Sequence, residues 1–145
     1  MKNKILVING PNLEILGKRE VEIYGNKTLE EINASLKDKS YENKFEIDFF
    51  QSNTEGEIVN KINSLEKNYK GIIINPAAYT HTSFAIFDSL NNLNIIKIEV
   101  HISNIYKRED FRKKSVTAGA CDAVISGFGV KGYDLALEYI MNKND

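Results

Sequence analysis

Five short runs rich in β-branched and other apolar residues are spread along the chain. Most of them are continuous rather than alternating with polar positions, which is typical of strands buried on both faces of a sheet. The pattern therefore predicts five β-strands. The runs are KILVI at 4–8, KFEIDFF at 44–50, GIIIN at 71–75, IIKIEVHI at 95–102 and CDAVIS at 121–126.

The segments between these runs have apolar residues at helical spacing. Three stripes recur every three or four residues, and a final segment from about Tyr133 to Met141 closes the chain with the same period. Each predicts an amphipathic helix. The three stripes are Leu29, Ile32 and Leu36; Ile58, Ile62 and Leu65; and Phe84, Phe87 and Leu90.

Two of the predicted helices carry a start signal. Thr28 precedes Glu31, and Thr54 precedes Glu57, by the three positions of a capping box. We therefore expect both threonines to cap a helix.

Regular alternation of strands and helices predicts a parallel sheet covered on both faces, because each crossover returns right-handed onto the sheet. Residues 1–145 then form a single domain of the α/β class. The expected architecture is a flavodoxin-like, doubly wound, five-stranded parallel sheet with strand order 2-1-3-4-5. A ligand is expected beyond the carboxyl ends of the strands.

Charge and composition narrow the function classes. With 19 basic and 20 acidic residues, the net charge is -1, so no global field attracts the chain to nucleic acid or an anionic membrane. The single cysteine, Cys121, is expected to be buried, and one cysteine fits a reducing compartment. No apolar run resembles a signal peptide or a membrane span, so we expect a soluble, cytoplasmic protein.

Unusual polar residues collect where the predicted strands end. The strand ends read NGPN at 9–12, QSN at 51–53, NPAAYTHTS at 75–83 and HISN at 101–104, and both histidines of the chain are among them. Because carboxyl ends of parallel strands share one edge, these side chains are expected to line one crevice.

Glu99 and His101 stand two residues apart in the fourth strand, so their side chains share one face. An exposed polar face would explain them, but a central parallel strand has no solvated face. We expect Glu99 to hydrogen-bond His101, fix its tautomer and favour its protonated form, which makes the imidazole a proton donor.

The connection over residues 10–25 is long for a compact domain and contains Arg19 and Tyr24. Connections of this length are often lids or binding loops. A nearby cation stabilises a phenolate, so Tyr24 beside Arg19 is a candidate base. A surface tyrosine on a turn is the alternative.

Other polar segments leave alternatives open. In 75–83, Thr82 or Ser83 can cap the next helix while His81 faces the crevice, although capping and turn formation alone explain much of the motif. Arg108 and Arg112 form either an anion-binding pair or a solvated surface.

The pattern GFGVKG at 127–132 predicts a tight strand-to-helix turn rather than a dinucleotide site. Neither zinc-ligand spacing nor a nucleophile elbow is found.

Taken together, six segments resemble the type II 3-dehydroquinate dehydratases over nearly the whole chain. The resemblance implies a flavodoxin-like fold, no metal or cofactor, and elimination of water from the small anionic substrate 3-dehydroquinate to give 3-dehydroshikimate. The segments are NGPNL at 9–13, GKREVEIYG at 17–25, FFQSNTEGE at 49–57, NPAAYTHTS at 75–83, IEVHISN at 98–104 and KREDFRKKS at 107–115.

The resemblance also implies catalytic roles. Tyr24 matches the base that removes the proton next to the ketone, and Arg19 the cation that activates it. Asn12 matches the residue that holds a water on the enolate oxygen. His101, supported by Glu99, matches the acid that protonates the departing hydroxyl.

Binding roles follow in the same way. Asn75, His81 and Arg112 match contacts to ring hydroxyls, and Ile102 and Ser103 match the backbone donors that grip the substrate carboxylate.

Two further matches concern the lid and the assembly. Arg108 matches a second lid arginine near the tyrosine, and Asp88 matches a contact that reaches a neighbouring subunit's site in a dodecamer of trimers. The chain departs from the family's usual residues at Glu14, Val21, Thr54 and Ala77, where Asn, Pro, His and Gly are usual.

Two rival functions are distinguishable. A non-catalytic flavodoxin-like receiver would need an acidic cluster after the first strand, where this chain has NGPN. A dehydratase acting through a lysine Schiff base would be inactivated by borohydride in the presence of substrate.

Overall fold

A computed structural model describes residues 2–144. Within this range, five parallel strands form one sheet in the order β2-β1-β3-β4-β5, which confirms the predicted fold class and strand order. The strands are β1 (Lys4–Asn9), β2 (Glu46–Gln51), β3 (Tyr69–Asn75), β4 (Ile96–His101) and β5 (Ala123–Ser126).

In the described part of the chain, four α-helices and several short 3-10 turns connect the strands, and a fifth α-helix follows β5. The helices are α1 (Val21–Tyr24), α2 (Leu29–Glu42), α3 (Glu55–Asn63), α4 (Phe84–Asn91) and α5 (Lys131–Lys143). Within residues 2–144, no helix is both long and apolar enough to cross a bilayer.

Two apolar cores lie on opposite faces of the sheet. Val7 and Val100 point to the face covered by α2 and α5, where Leu36 and Leu137 are fully buried. On the other face, side chains such as Ile74 pack against α3 and α4. The sheet is therefore covered on both sides, as the apolar runs predicted.

The predicted stripe on α4 is wrong at its first position. Phe84 is 70% exposed, whereas Ile86 and Leu90 are fully buried. The helix is amphipathic, but its buried face includes Ile86 and Leu90 rather than Phe84, and the Ser83 side chain caps its first turn by accepting from the Ile86 N–H. Leu65, predicted on α3, lies beyond the helix end at Asn63.

One of the two predicted capping boxes forms. At α2 the Thr28 side chain accepts from the Glu31 N–H, and the Glu31 carboxylate accepts from the Thr28 N–H. At α3 the prediction is wrong: among the described residues, the Thr54 side chain caps nothing. Ser52 instead bonds both residues of the expected box, donating to the Glu57 carboxylate at 3.1 Å and accepting from the Thr54 N–H at 2.9 Å.

Two burial predictions also fail at the β5 edge of the sheet. Val124 is 42% exposed, because β5 has a neighbour on one side only. Cys121, expected to be buried, is half-buried just before the strand.

The GFGVKG segment makes the predicted tight turn, with Gly127 at φ +94° and Gly129 at φ +62°.

The connection between β1 and α2 is more ordered than a plain loop. It contains a 3-10 turn at Leu13–Ile15 and the one-turn helix α1, which ends at Tyr24. Gly10 holds its start close to the β3 end, since a Cβ there would lie 2.4 Å from the Pro76 carbonyl oxygen. Local structure thus brings the Tyr24 segment over the carboxyl edge of the sheet.

Candidate active site

A pocket of about 200 Å³ opens at the carboxyl edge of the sheet. Its walls come from the segments after β1, β3 and β4, the strand ends that the polar residues predicted. Ten of the twelve predicted site residues line it: Asn12, Arg19, Tyr24, Asn75, His81, His101, Ile102, Ser103, Arg108 and Arg112.

The two remaining predicted residues lie elsewhere. Glu99 is fully buried behind His101, and Asp88 is exposed on α4, away from the pocket. A larger depression of about 600 Å³ lies at the amino edge of the sheet, with Lys67, Lys70 and Lys143 in its wall. Its side chains are not those that the strand-end pattern indicates.

His101 and Glu99 form a buried hydrogen-bonded pair. The His101 Nε2 lies 2.7 Å from Glu99 Oε2, and the exposed fractions of the two side chains are 6% and 0%. Because a carboxylate accepts only, Nε2 carries the proton and Nδ1 is the ring nitrogen left for other partners. The predicted pair therefore forms in the predicted place.

The Glu99 carboxylate is charged despite its burial. Burial acts to raise its pKa, but hydrogen bonds from His101, Thr117 and Ser115 and the charge of the imidazolium outweigh burial and lower the pKa below the usual glutamate value. An ionised Glu99 accepts the Nε2 proton of His101 and so fixes the tautomer of the imidazole.

Tyr24 lies between two guanidinium groups. Arg108 Nη1 donates to its hydroxyl oxygen at 3.0 Å and also to Ser103 Oγ at 3.3 Å. The Arg19 guanidinium lies over the ring face, 5.0 Å from the centroid, and bonds Glu20. The cation in direct contact with the phenol oxygen is thus Arg108, whereas sequence neighbourhood had indicated Arg19.

The pocket carries a positive charge. Three guanidinium groups face two carboxylates, since Glu20 pairs with Arg19 at 3.3 Å and Glu109 lies 3.2 Å from Arg112 Nε. Within residues 2–144, the buried Nε atoms of Arg19 and Arg112 make no hydrogen bond of acceptable geometry. Arg112 Nε is still paired by charge with Glu109, whereas Arg19 Nε is a spare cationic donor that suits an anionic ligand.

The orientation of Asn75 is fixed from both ends. Its Nδ2 donates to the Tyr133 hydroxyl at 3.0 Å, and its Oδ1 accepts from the Ala77 N–H at 3.1 Å. Tyr133, fully buried on α5, in turn donates to Asn9 Oδ1 at 2.5 Å. Burial raises the pKa of Tyr133, so this phenol stays protonated and acts as a donor. One N–H of Asn75 remains for a ligand.

Asn12 adopts a left-handed backbone, φ 69°, which a neighbouring side chain supports. Asn53 Oδ1 accepts from the Asn12 N–H at 2.9 Å, and Asn53 Nδ2 donates to Glu14 Oε2 at 2.6 Å. Asn53 was not assigned a role from the sequence, although its position in QSN at a strand end was the available signal.

His81 is held by the segment that carries Arg112. Its Nδ1 lies 2.7 Å from the Lys114 carbonyl oxygen, so Nδ1 is the donor and Nε2 is available to the pocket. Among residues 2–144, no three His, Cys, Asp or Glu side chains come together as a metal-ion site.

Comparisons with known proteins agree on one family. The family model described as Dehydroquinase class II matches residues 3–141. A 3-dehydroquinate dehydratase of Clostridium botulinum is 60% identical over 140 residues, which cover 97% of this chain and 95% of the relative. One of Thermotoga petrophila is 52% identical over 140 residues, covering 97% and 96%. The crystal structure of a type II dehydroquinase from Butyrivibrio crossotus has a TM-score of 0.93 and 47% identity, covering 96% of this chain and 97% of that one.

Proposed function

The chain belongs to the class II dehydroquinase family, and we propose that the pocket at the carboxyl edge of its sheet is where it converts 3-dehydroquinate to 3-dehydroshikimate. The reaction is an elimination of water in the shikimate pathway of aromatic amino acid biosynthesis. The observation that carries the proposal is one pocket lined by both an arginine-bound phenol, Tyr24, and a carboxylate-bound imidazole, His101.

In the first step, the Tyr24 phenolate removes a proton from the carbon next to the ketone, and the C–H electron pair forms an enolate. A phenolate needs nearby positive charge to form near neutrality. Arg108 supplies it through a hydrogen bond at 3.0 Å, and Arg19 supplies a second charge over the ring face. Asn12 holds a water on the enolate oxygen, which stabilises the developing charge.

In the second step, the enolate re-forms the ketone, the carbon–oxygen bond on the opposite face breaks, and His101 donates a proton so that water leaves. This is an anti elimination with a separate base and acid. Glu99 supports the charged imidazole and sets its tautomer through the 2.7 Å hydrogen bond. Water and the conjugated enone are the products, and each proton taken up is balanced by one released.

Substrate is held by its charge and its hydroxyls. The backbone N–H groups of Ile102 and Ser103, directly after β4, bind the carboxylate, helped by the net positive charge of the pocket. Asn75, His81 and Arg112 bind ring hydroxyls. The spare N–H of Asn75 and the free Nε2 of His81 support these assignments.

We also propose that the chain forms a cytoplasmic homo-oligomer, a dodecamer built from trimers, in which Asp88 reaches a neighbouring subunit's site. Asp88 is exposed, and Phe84, four residues earlier on the same helix, is 70% exposed, which suits a face covered by another subunit. Sedimentation of the purified protein tests this assembly, and a monomer at working concentration would contradict it.

The activity test mixes purified protein with 3-dehydroquinate in the presence of a chelator and follows the ultraviolet absorbance of the conjugated enone. Wild type should turn over, and Tyr24→Phe should lose most of the rate. Pretreatment with borohydride and substrate should leave the wild type active, since no Schiff base forms. Absence of turnover by the wild type would refute the proposed function.

A further inference from the structure

Three hydroxyl groups from two segments surround the buried carboxylate of Glu99. We call Thr80, Ser115 and Thr117 the hydroxyl cluster. Thr80 Oγ1 lies 3.0 Å and Ser115 Oγ 2.7 Å from Glu99 Oε2, while Thr117 Oγ1 bonds Oε1. Together with His101 Nε2, they give one carboxylate four donors, although bulk water does not reach it.

The cluster is arranged to donate. Each hydroxyl has a single proton, and the Ser115 oxygen already accepts from the Ala118 N–H at 3.0 Å, so its proton is free for Glu99. The three oxygens also lie 2.8 to 3.3 Å from one another. An ionised Glu99 accepts from all of them at once, whereas a protonated Glu99 would bring a further proton into a site already full of donors.

The cluster also joins the segments that carry the pocket. Thr80 precedes His81, and Ser115 follows Lys114, whose carbonyl holds the His81 ring at 2.7 Å. Thr80 and Thr117 are both fully buried. Glu99 is therefore the point at which β4, the 3-10 turn after β3 and the segment after Arg112 are connected by hydrogen bonds.

We propose that Thr80, Ser115 and Thr117 are positioning residues for the general acid His101. They keep Glu99 ionised and correctly oriented, so that His101 is protonated and aimed at the leaving hydroxyl. This inference rests on the proposed function for its kinetic consequences. Its structural part stands on the hydroxyl cluster, whose donors act together with His101 to offset the burial of the carboxylate.

Other titratable groups near Glu99 do not take over this task. His101 is the charged partner on the same strand, and the Cys121 thiol faces Glu99 from the segment before β5. Burial and the charge of Glu99 raise the pKa of Cys121 to about 12, so it stays neutral and contributes no charge. The Lys97 ammonium is occupied by the carbonyls of Leu90 and Leu93, at 2.9 and 2.7 Å.

The test compares Thr117→Val, which keeps the shape but removes the hydroxyl, with Thr117→Ser, which keeps the hydroxyl. For Thr117→Val we expect kcat to fall about 10- to 100-fold, as for the loss of a hydrogen bond to a charged group. KM should stay within about twofold, because the substrate contacts are intact. Thr117→Ser should recover most of the lost rate.

Two further measurements distinguish an effect on the general acid, His101, from an effect on the base, Tyr24. In deuterium oxide, Thr117→Val should still exchange the substrate hydrogen next to the ketone, since Tyr24 is untouched, while water loss slows. The carbon-13 resonance of the Glu99 carboxyl, followed against pH without substrate, should titrate at higher pH in Thr117→Val than in wild type or Thr117→Ser.

The outcomes are decisive in either direction. Equal losses in the valine and serine variants, or an unchanged Glu99 titration in Thr117→Val, would overturn the proposal. If Thr117→Val does not fold, Ser115→Ala, at a half-buried position, takes its place with the same expectations. If the wild type fails to dehydrate 3-dehydroquinate, the proposed function is refuted, but the carboxyl titration still decides the role of the cluster.

Discussion

Arg108 Nη1 donates a hydrogen bond to the Tyr24 hydroxyl across 3.0 Å, joining residues 84 positions apart in the chain. Arg19, five positions from Tyr24, lies instead over the ring face. The two arginines therefore stabilise a phenolate differently, one through its oxygen and one through charge above the ring.

Because of this difference, we expect the loss of Arg108 to reduce activity more than the loss of Arg19. Arg108→Met should lower kcat about 10- to 100-fold, because a hydrogen bond to the charged oxygen is lost. Arg19→Met removes a cation–π contact and should cost about 2- to 5-fold. Deuterium exchange next to the substrate ketone measures the base step directly. A larger exchange defect in Arg19→Met would make Arg19 the activating cation, as the family resemblance implied.

The low pKa of Glu99 predicts acid sensitivity. A carboxyl whose pKa is lower in the folded than in the unfolded chain contributes stability above about pH 4.5, its ordinary value, and that contribution is lost as the pH falls through the folded value. The melting temperature of wild type should therefore drop on acidification, and Glu99→Gln should flatten the drop. Glu30→Gln, at an exposed position on α2, is the control and should follow wild type. Parallel curves for wild type and Glu99→Gln would contradict the prediction.

Tyr133 predicts a linked effect on stability and binding. Tyr133→Phe leaves Asn75 Nδ2 and Asn9 Oδ1 without their shared partner in a buried place, so the free energy of unfolding should fall by about 1–3 kcal/mol. KM for 3-dehydroquinate should rise because Asn75 loses its fixed orientation. Tyr139→Phe, on the exposed side of the same helix, should change both by little. Urea unfolding and steady-state kinetics measure the two effects, and an unchanged KM would argue against the link.

The backbone conformation of Ala77 predicts that glycine at this position stabilises the protein. Its φ of 54° is in the left-handed region, which costs an L-residue about 1–2 kcal/mol and glycine nothing. Part of the gain is offset by the greater freedom of glycine in the unfolded chain, about 0.4–1 kcal/mol. Ala77→Gly should raise the melting temperature by about 2–4 °C. Ala78→Gly, the next position in the same turn, should lower it, and a decrease in both variants would refute the strain argument.

Thr28 and Thr54 both fit the capping-box pattern, but replacing each with alanine should change the free energy of unfolding differently. Thr28→Ala should lower the free energy of unfolding by about 1 kcal/mol, because a formed capping box is lost. Thr54→Ala should be nearly neutral, since the Thr54 side chain makes no capping bond at α3. Denaturant unfolding of both variants measures this difference, and equal losses would show that Thr54 caps in solution.

The local elements could be predicted because they depend on spacing within a few residues. Apolar runs and helical spacing indicated all five strands, and the period of two along a strand put Glu99 and His101 on one face of β4. The strand order came from the flavodoxin-like architecture that alternating strands and helices predict. The gathering of polar residues at strand ends indicated the pocket, because parallel strands have their carboxyl ends on one edge. Two failures were equally local. Phe84 and Thr54 fit their patterns, but Phe84 lies on the exposed side of α4 and the Thr54 side chain makes no cap at α3.

The sequence by itself determined the fold class, the edge of the sheet at which the site lies, and the Glu99–His101 pair. Only the tertiary structure decided that Arg108 contacts the Tyr24 oxygen, that Tyr133 orients Asn75 from 58 positions away, and that Thr117 and Ser115 surround Glu99. The reason is physical. Spacing along a chain constrains residues of one helix turn or one strand, whereas partners on different elements meet only when the packed cores fix how α5 and the segments beyond β4 lie against the sheet.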